Sequence, residues 1–211
     1  ARLWLQLHGI DAWKYPGGMI DRQISKVDLV TCVSRHTRQR FMSWARMEPW
    51  KVKVLPNTVT TPKPGISPTN IAEKYKVNGK KVILTVGRLS SSEKYKGHDR
   101  VLKCLPKLLN KEPDLHYLIA GDVDERPRQH NLTSELAVKD NVIYLGKVND
   151  EELDGLYRLA DVFAMPSIGE GFGIVYLESM ARGTPAIGFD QDGSTDPLQD
   201  GNLGIVTNET D

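Results

Sequence analysis

Cysteine is scarce in this chain: Cys32 and Cys104 are the two it holds in 211 residues. Two thiols cannot build a disulfide scaffold or, alone, a zinc site, so a reducing, cytoplasmic setting is the expectation. No apolar run approaches the ~18 residues that cross a bilayer. Aromatics are few at 7%, yet 39% apolar and 26% charged residues are ordinary for a globular chain and exclude disorder. Excess charge of one sign is missing too, with a formal net charge of +1. That balance is a cancellation. Residues 1–80 hold fourteen cations against five anions (+9), and residues 81–211 hold fourteen against twenty-two (−8). Either the two parts face different partners or one fold has two differently charged faces.

What is present reads as alternating strands and helices. An apolar stretch, Leu3-Trp4-Leu5-Gln6-Leu7, opens the chain; a strand there needs further partners, so a longer protein cut at its N-terminus is expected. Strands follow at 29–33 and 52–55 with a helix over 35–45 between them. Four prolines from Pro56 to Pro68 then block helix and ladder alike and mark a boundary. Beyond it come strands at 82–86, 115–120, 142–145, 162–165, 185–189 and 203–206, several ending at glycine. Val101, Leu102, Leu105, Leu108 and Leu109 keep helical spacing, and Asn149 with Glu152 three residues on spells a helix start. The pattern predicts an α/β fold, a Rossmann-like parallel sheet with helices on both faces, preceded by a partial N-terminal α/β domain. The expected division is 1–62, a linker at 63–80, and 81–211. Ligands of such sheets bind at the carboxyl ends of the strands.

Two segments carry residues suited to chemistry there. In Pro166-Ser167-Ile168-Gly169-Glu170-Gly171-Phe172-Gly173-Ile174-Val175-Tyr176-Leu177-Glu178 a strand ends, glycines follow, and a helix begins. Backbone N–H groups at such a start favour an anion, which glycines let approach closely. Glu170 and Glu178 would stand about 12 Å apart on a helix, the scale of a nucleotide sugar. The alternative makes Glu170 a helix-start acid and Glu178 a surface residue. In the other segment Arg88 follows a strand end, Lys96 precedes a glycine and a helix, and together they would clamp a diphosphate; Lys94 reads as solvated. Neither a Walker A loop nor a G-x-G-x-x-G fingerprint occurs. His8 follows a strand and could face a cleft, although a lone histidine there is more often structural. Arg35, His36, Arg38 and Arg40 read as a solvated helix face. Nucleic-acid binding is the other reading of that run, and no aromatic-rich basic motif supports it, so no nucleic-acid partner is expected.

Taken in order, Val86-Gly87-Arg88-Leu89, Lys96-Gly97, Ala120-Gly121-Asp122, Leu145-Gly146, Ala160-Asp161-Val162, Glu170-Gly171-Phe172-Gly173 with Glu178, and Ala181-Arg182-Gly183-Thr184-Pro185 resemble the retaining glycosyltransferases of family 4, of GT-B fold. His8-Gly9, Val33-Ser34 and Val54-Leu55-Pro56-Asn57 resemble the end of that family's N-terminal domain. The resemblance implies a chain truncated at both ends: an acceptor-domain remnant at 1–62 and a donor domain at 81–211. It implies a hexosyltransferase of polysaccharide biosynthesis, using a nucleotide sugar (UDP-glucose favoured, GDP-mannose next) and a saccharide or lipid-linked acceptor. By the same resemblance Arg88 and Lys96 hold the diphosphate, Glu178 the ribose, and Glu170 stands by the sugar. Gly171, Phe172 and Gly173 meet sugar hydroxyls, the Ile174 and Val175 amides meet phosphate, and Val148 touches the base. His8 reaches over from the other domain. The family is metal-independent and needs no cofactor beyond its donor. Peripheral membrane contact through the basic segment is a further expectation. The fragment alone is expected to bind donor and turn over poorly. An epimerase or phosphorylase of the same architecture, or a non-catalytic nucleotide-sugar-binding module, are the competing readings.

Overall fold

Short β-branched and leucine-rich runs separated by capped helices give two parallel sheets. A computed structural model describes residues 1–60, 62, 65–90, 95–122, 124 and 126–209, apart from the side chains of Asp21 and Arg126. Lys94, with the rest of 91–94, lies outside the described residues, as do Val123 and Thr210.

The smaller sheet runs β1 (Trp4–Leu7), β2 (Leu29–Cys32), β3 (Val52–Val54), all parallel in that order. Helix α1 (Gly18–Ile24) follows β1, and α2 (Arg35–Met42) follows β2. Ser34 caps α2 by accepting the Thr37 N–H, the usual device at a helix start. Phe41 from α2 is fully buried with Leu7, Val30, Cys32 and Val52. Burial also pushes the Cys32 thiol up to about 11. Helix α2 ends at Met42, short of the expected 45, although the Ser43 and Ala45 N–H groups still reach back four residues to the Gln39 and Phe41 carbonyls. The basic helix face is not simply solvated. Arg35 pairs with Asp196 and Asp200, Arg38 donates to the Val52 carbonyl, and Arg40 lies over the Trp13 ring.

The larger sheet holds β4 (Lys81–Val86), β5 (Leu115–Ala120), β6 (Val142–Gly146), β7 (Val162–Ala164), β8 (Ala186–Phe189) and β9 (Ile205–Thr207). Its order is β6-β5-β4-β7-β8-β9, every pairing parallel. Helices α4 (His98–Leu109), α5 (Arg126–Glu135), α6 (Asp150–Leu159) and α7 (Ile174–Met180) connect these strands. Leu118 and Ile119, neighbours pointing to opposite faces of β5, are both fully buried, as a sheet covered on both sides requires. Asn149 accepts the Glu152 N–H and starts α6. Leu203 precedes the last strand rather than opening it: its N–H bonds back to the Leu198 carbonyl and closes a turn first.

Within the segment expected as linker, Pro68–Tyr75 form α3, with Ser67 as cap and Pro68 in its first turn. Its Ile71 and Ala72 belong to the core of the larger sheet. Chain order reverses direction between β4 and β7, which makes that pair the switch point where open α/β sheets bind ligands.

Candidate functional site

The chain leaving β7 is pinned peptide by peptide. Ile168 N–H bonds to the Tyr95 carbonyl at 2.8 Å, Gly169 N–H to Ser167 Oγ at 3.2 Å, and Glu170 N–H to Asp192 Oδ2 at 2.7 Å. Gly193 N–H returns to the Glu170 carbonyl at 2.9 Å. Gly171 lies hard against the end of β1: a Cβ there would stand 2.1 Å from the His8 carbonyl oxygen. Only glycine permits that approach. Thr37 Oγ1 donates to the Gly171 carbonyl at 3.2 Å, so the two sheets meet on this loop.

A cavity of about 430 Å³ opens beside it. From the β4 end it is lined by Val86, Gly87 and Lys96, and from the smaller lobe by His8 and Asn57. Glu170, Gly171, Phe172, Gly173, Ile174 and Val175 form the remaining wall. Lys96 Nζ donates to Glu170 Oε1 at 2.7 Å, with the two side chains 15% and 16% exposed. Both are largely shielded from solvent, and both border the cavity. Gly173 caps α7 with no side-chain hydrogen bond, and the Tyr176 ring packs under it, its hydroxyl on the Met165 carbonyl at 2.5 Å. Beside Lys96, the His98 imidazole is buried and held down to about 4, first by burial and then by the Lys96 charge.

Eight of the eleven residues expected at the site therefore meet around one cavity: His8, Lys96, Glu170, Gly171, Phe172, Gly173, Ile174 and Val175. Arg88, Glu178 and Val148 do not line it. Arg88 is exposed just past β4, and Val148 packs against the larger core. Glu178 sits on α7, where the buried Tyr157 hydroxyl donates to its Oε2 at 2.9 Å. Burial and that carboxylate push the Tyr157 phenol above its ordinary range.

Sequence reasoning missed Asn57 and Asp192 as parts of the site. The signal for Asp192 is its Asp-Gly-Ser spelling, which suits a side chain that accepts the N–H two residues on; Asp192 Oδ1 accepts from Ser194 N–H at 2.9 Å. A cation, a carboxylate and open backbone N–H groups around one cleft can hold a phosphate together with a polyhydroxyl group. Among the described residues, no three His, Cys, Asp or Glu side chains gather as a metal-holding group, and no helix is long and apolar enough to cross a membrane.

The family model described as "Glycosyl transferases group 1" matches residues 67–211. The chain is similar, at 34% identity over 194 residues, to the GDP-mannose-dependent alpha-(1-6)-phosphatidylinositol monomannoside mannosyltransferase of Mycolicibacterium smegmatis, covering 87% of this chain and 50% of that protein. It is also 34% identical over 132 residues to the D-inositol 3-phosphate glycosyltransferase of Corynebacterium aurimucosum, covering 60% of this chain and 31% of that one. Anabaena HepE, solved with UDP and glucose, superimposes with a TM-score of 0.81 at 23% identity, over 98% of this chain and 58% of HepE. The likeness to HepE establishes the α/β architecture. The chain spans half or less of the curated relatives it matches.

Proposed function

This chain belongs to the glycosyl transferases group 1 family, and on that premise we propose that it binds a nucleotide-sugar donor for transfer of a hexose to a saccharide or lipid-linked acceptor in polysaccharide biosynthesis. The observation that carries this reading is the Lys96–Glu170 pair at the switch point, facing the 171–175 backbone across one cleft. Lys96, joined by Arg88, takes the diphosphate. Glu170 and the Gly171, Phe172 and Gly173 backbone take the sugar hydroxyls, with the Ile174 and Val175 amides on phosphate. Glu178 binds the ribose, Val148 borders the base, and His8 faces the sugar from the smaller lobe. The similarity to a GDP-mannose-dependent enzyme over most of the chain moves the preferred donor from UDP-glucose to GDP-mannose.

In the reaction the acceptor hydroxyl oxygen attacks the anomeric carbon on the face the phosphate leaves. The carbon–oxygen bond breaks with its electron pair passing to the phosphate oxygen, which accepts the hydroxyl proton, and the anomeric configuration is retained. Lys96 and Arg88 offset the charge developing on the leaving diphosphate. No metal ion or further cofactor enters this scheme.

The experiment is titration with GDP-mannose and UDP-glucose, comparing wild type with Arg88→Ala/Lys96→Ala. Charge-assisted contacts predict a loss of about 1.5–3 kcal/mol each; equal affinity in both proteins removes the clamp. Product analysis with and without added acceptor separates transfer from epimerisation or phosphorolysis. Exposed Ile10, Tyr15, Met19 and Ile20 near Lys14 and Arg22 favour a peripheral membrane contact by a cytoplasmic protein. Co-sedimentation with anionic vesicles that ignores both lipid charge and salt would remove that contact.

A further inference from the structure

We propose that Asp192 is a positioning residue for sugar recognition, acting on the donor through Glu170 and never touching it; this rests on the nucleotide-sugar reading of the cleft. Asp192 lies in the loop after β8 and is 2% exposed. Burying a carboxylate is costly unless its oxygens are satisfied, and both are. Oδ2 accepts the Glu170 N–H at 2.7 Å and Oδ1 accepts the Ser194 N–H at 2.9 Å. The next residue completes the clamp, because Gly193 N–H donates to the Glu170 carbonyl at 2.9 Å. Glu170 is thus held by its own N–H and its own carbonyl, one residue before the glycine that meets the other lobe.

Close packing enforces the same arrangement. A Cβ on Gly193 would fall 2.2 Å from the Gly171 carbonyl oxygen, so the loop after β8 is the mould on which the loop after β7 is set. From that fixed backbone the Glu170 carboxylate reaches Lys96 Nζ at 2.7 Å at the edge of the cavity. Asparagine is nearly isosteric with aspartate, but it presents one acceptor and an NH2 group where two N–H donors point in. One of them would face a donor, and the Glu170 peptide would shift. The backbone of the phosphate-facing Lys96 belongs to a different segment, ahead of α4, and Asp192 does not hold it.

The consequence is selective. Asp192→Asn should weaken GDP-mannose binding at least tenfold while changing GDP affinity less than threefold, with UDP-glucose and UDP run in parallel. Glu170→Ala should show the same split. Adding Asp192→Asn to Glu170→Ala should then cost much less than it costs in wild type, since most of its effect passes through the Glu170 carboxylate. Gly193→Ala supplies a second perturbation of the same loop that keeps the carboxylate, and should reproduce the sugar-selective loss if Asp192→Asn fails to fold. Equal losses for GDP-mannose and GDP, or additive losses in the double variant, would overturn the role. Wild type that binds none of the four nucleotides would overturn the donor reading itself, and the positioning role would fall with it.

Discussion

Two carboxylates of the larger lobe, Asp154 and Glu170, both pair with cations, yet they are built for opposite ends. Asp154 is 2% exposed and saturated: it accepts from Gly65 N–H at 2.9 Å, from Arg182 Nε at 2.8 Å and from Arg158. Burial opposes its ionisation, but the Gly65 N–H and the two arginines win and hold its carboxyl below the usual range. Arg182 goes on to the Glu178 carbonyl and lies over the Tyr157 ring. Glu170 shares one short contact with Lys96 beside an open cavity. A charge tied on every side is part of the scaffold, whereas a charge with one tie and room beside it can trade that tie for a ligand.

Breaking Asp154 should give the largest effect. Asp154→Ala strands two arginines and a backbone N–H, and should cost about 3–5 kcal/mol of folding free energy by denaturant unfolding. The contrast sharpens at His98, buried next to the cleft and held down to about 4. An unfolded histidine takes up its proton near 6.5, so between 6.5 and 4 the unfolded chain binds the extra proton. The His98 contribution is therefore complete above pH 6.5 and is lost as pH falls to 4. It amounts to roughly 3 kcal/mol, and unfolding midpoints across that window should fall less steeply in His98→Gln.

Lys96→Ala inverts the pattern seen at Asp154. GDP-mannose affinity should drop by about 1.5–3 kcal/mol, while the melting temperature moves little. A fall in stability as large as that of Asp154→Ala would erase the distinction. The smallest effect belongs to Arg35, whose guanidinium spans Asp196 at 2.7 Å and Asp200 at 2.6 Å from the other lobe, though it is 57% exposed. Arg35→Ala should cost about 0.5–1 kcal/mol, and the difference from wild type should shrink in high salt.

Much of the larger lobe was legible because local rules agreed with the global fold. Val82 to Val86 ends at Gly87, Leu115 to Ala120 at Gly121, and Asn149 with Glu152 does start α6. The failures lie where one residue type has two meanings. Pro68 belongs to a cluster of chain breakers, yet with Ser67 as cap it is the first residue of α3. Arg35 looked solvated because its acidic partners stand more than 160 residues away. Glu170 and Lys96 announced themselves by glycine spacing and charge. Asp192 shows only in its Asp-Gly-Ser spelling, because its partners are backbone N–H groups that every residue except proline carries.

The contact of Gly171 with His8 and Thr37 also has a meaning in time. These partners are separated by 134 residues or more of chain, and contacts so distant in sequence are slow to form, because a long loop must close before any reward arrives. Each sheet can pair its own strands without that contact; the cleft wall cannot be assembled without it. Completion of that wall in a refolding chain therefore dates the meeting of its two lobes.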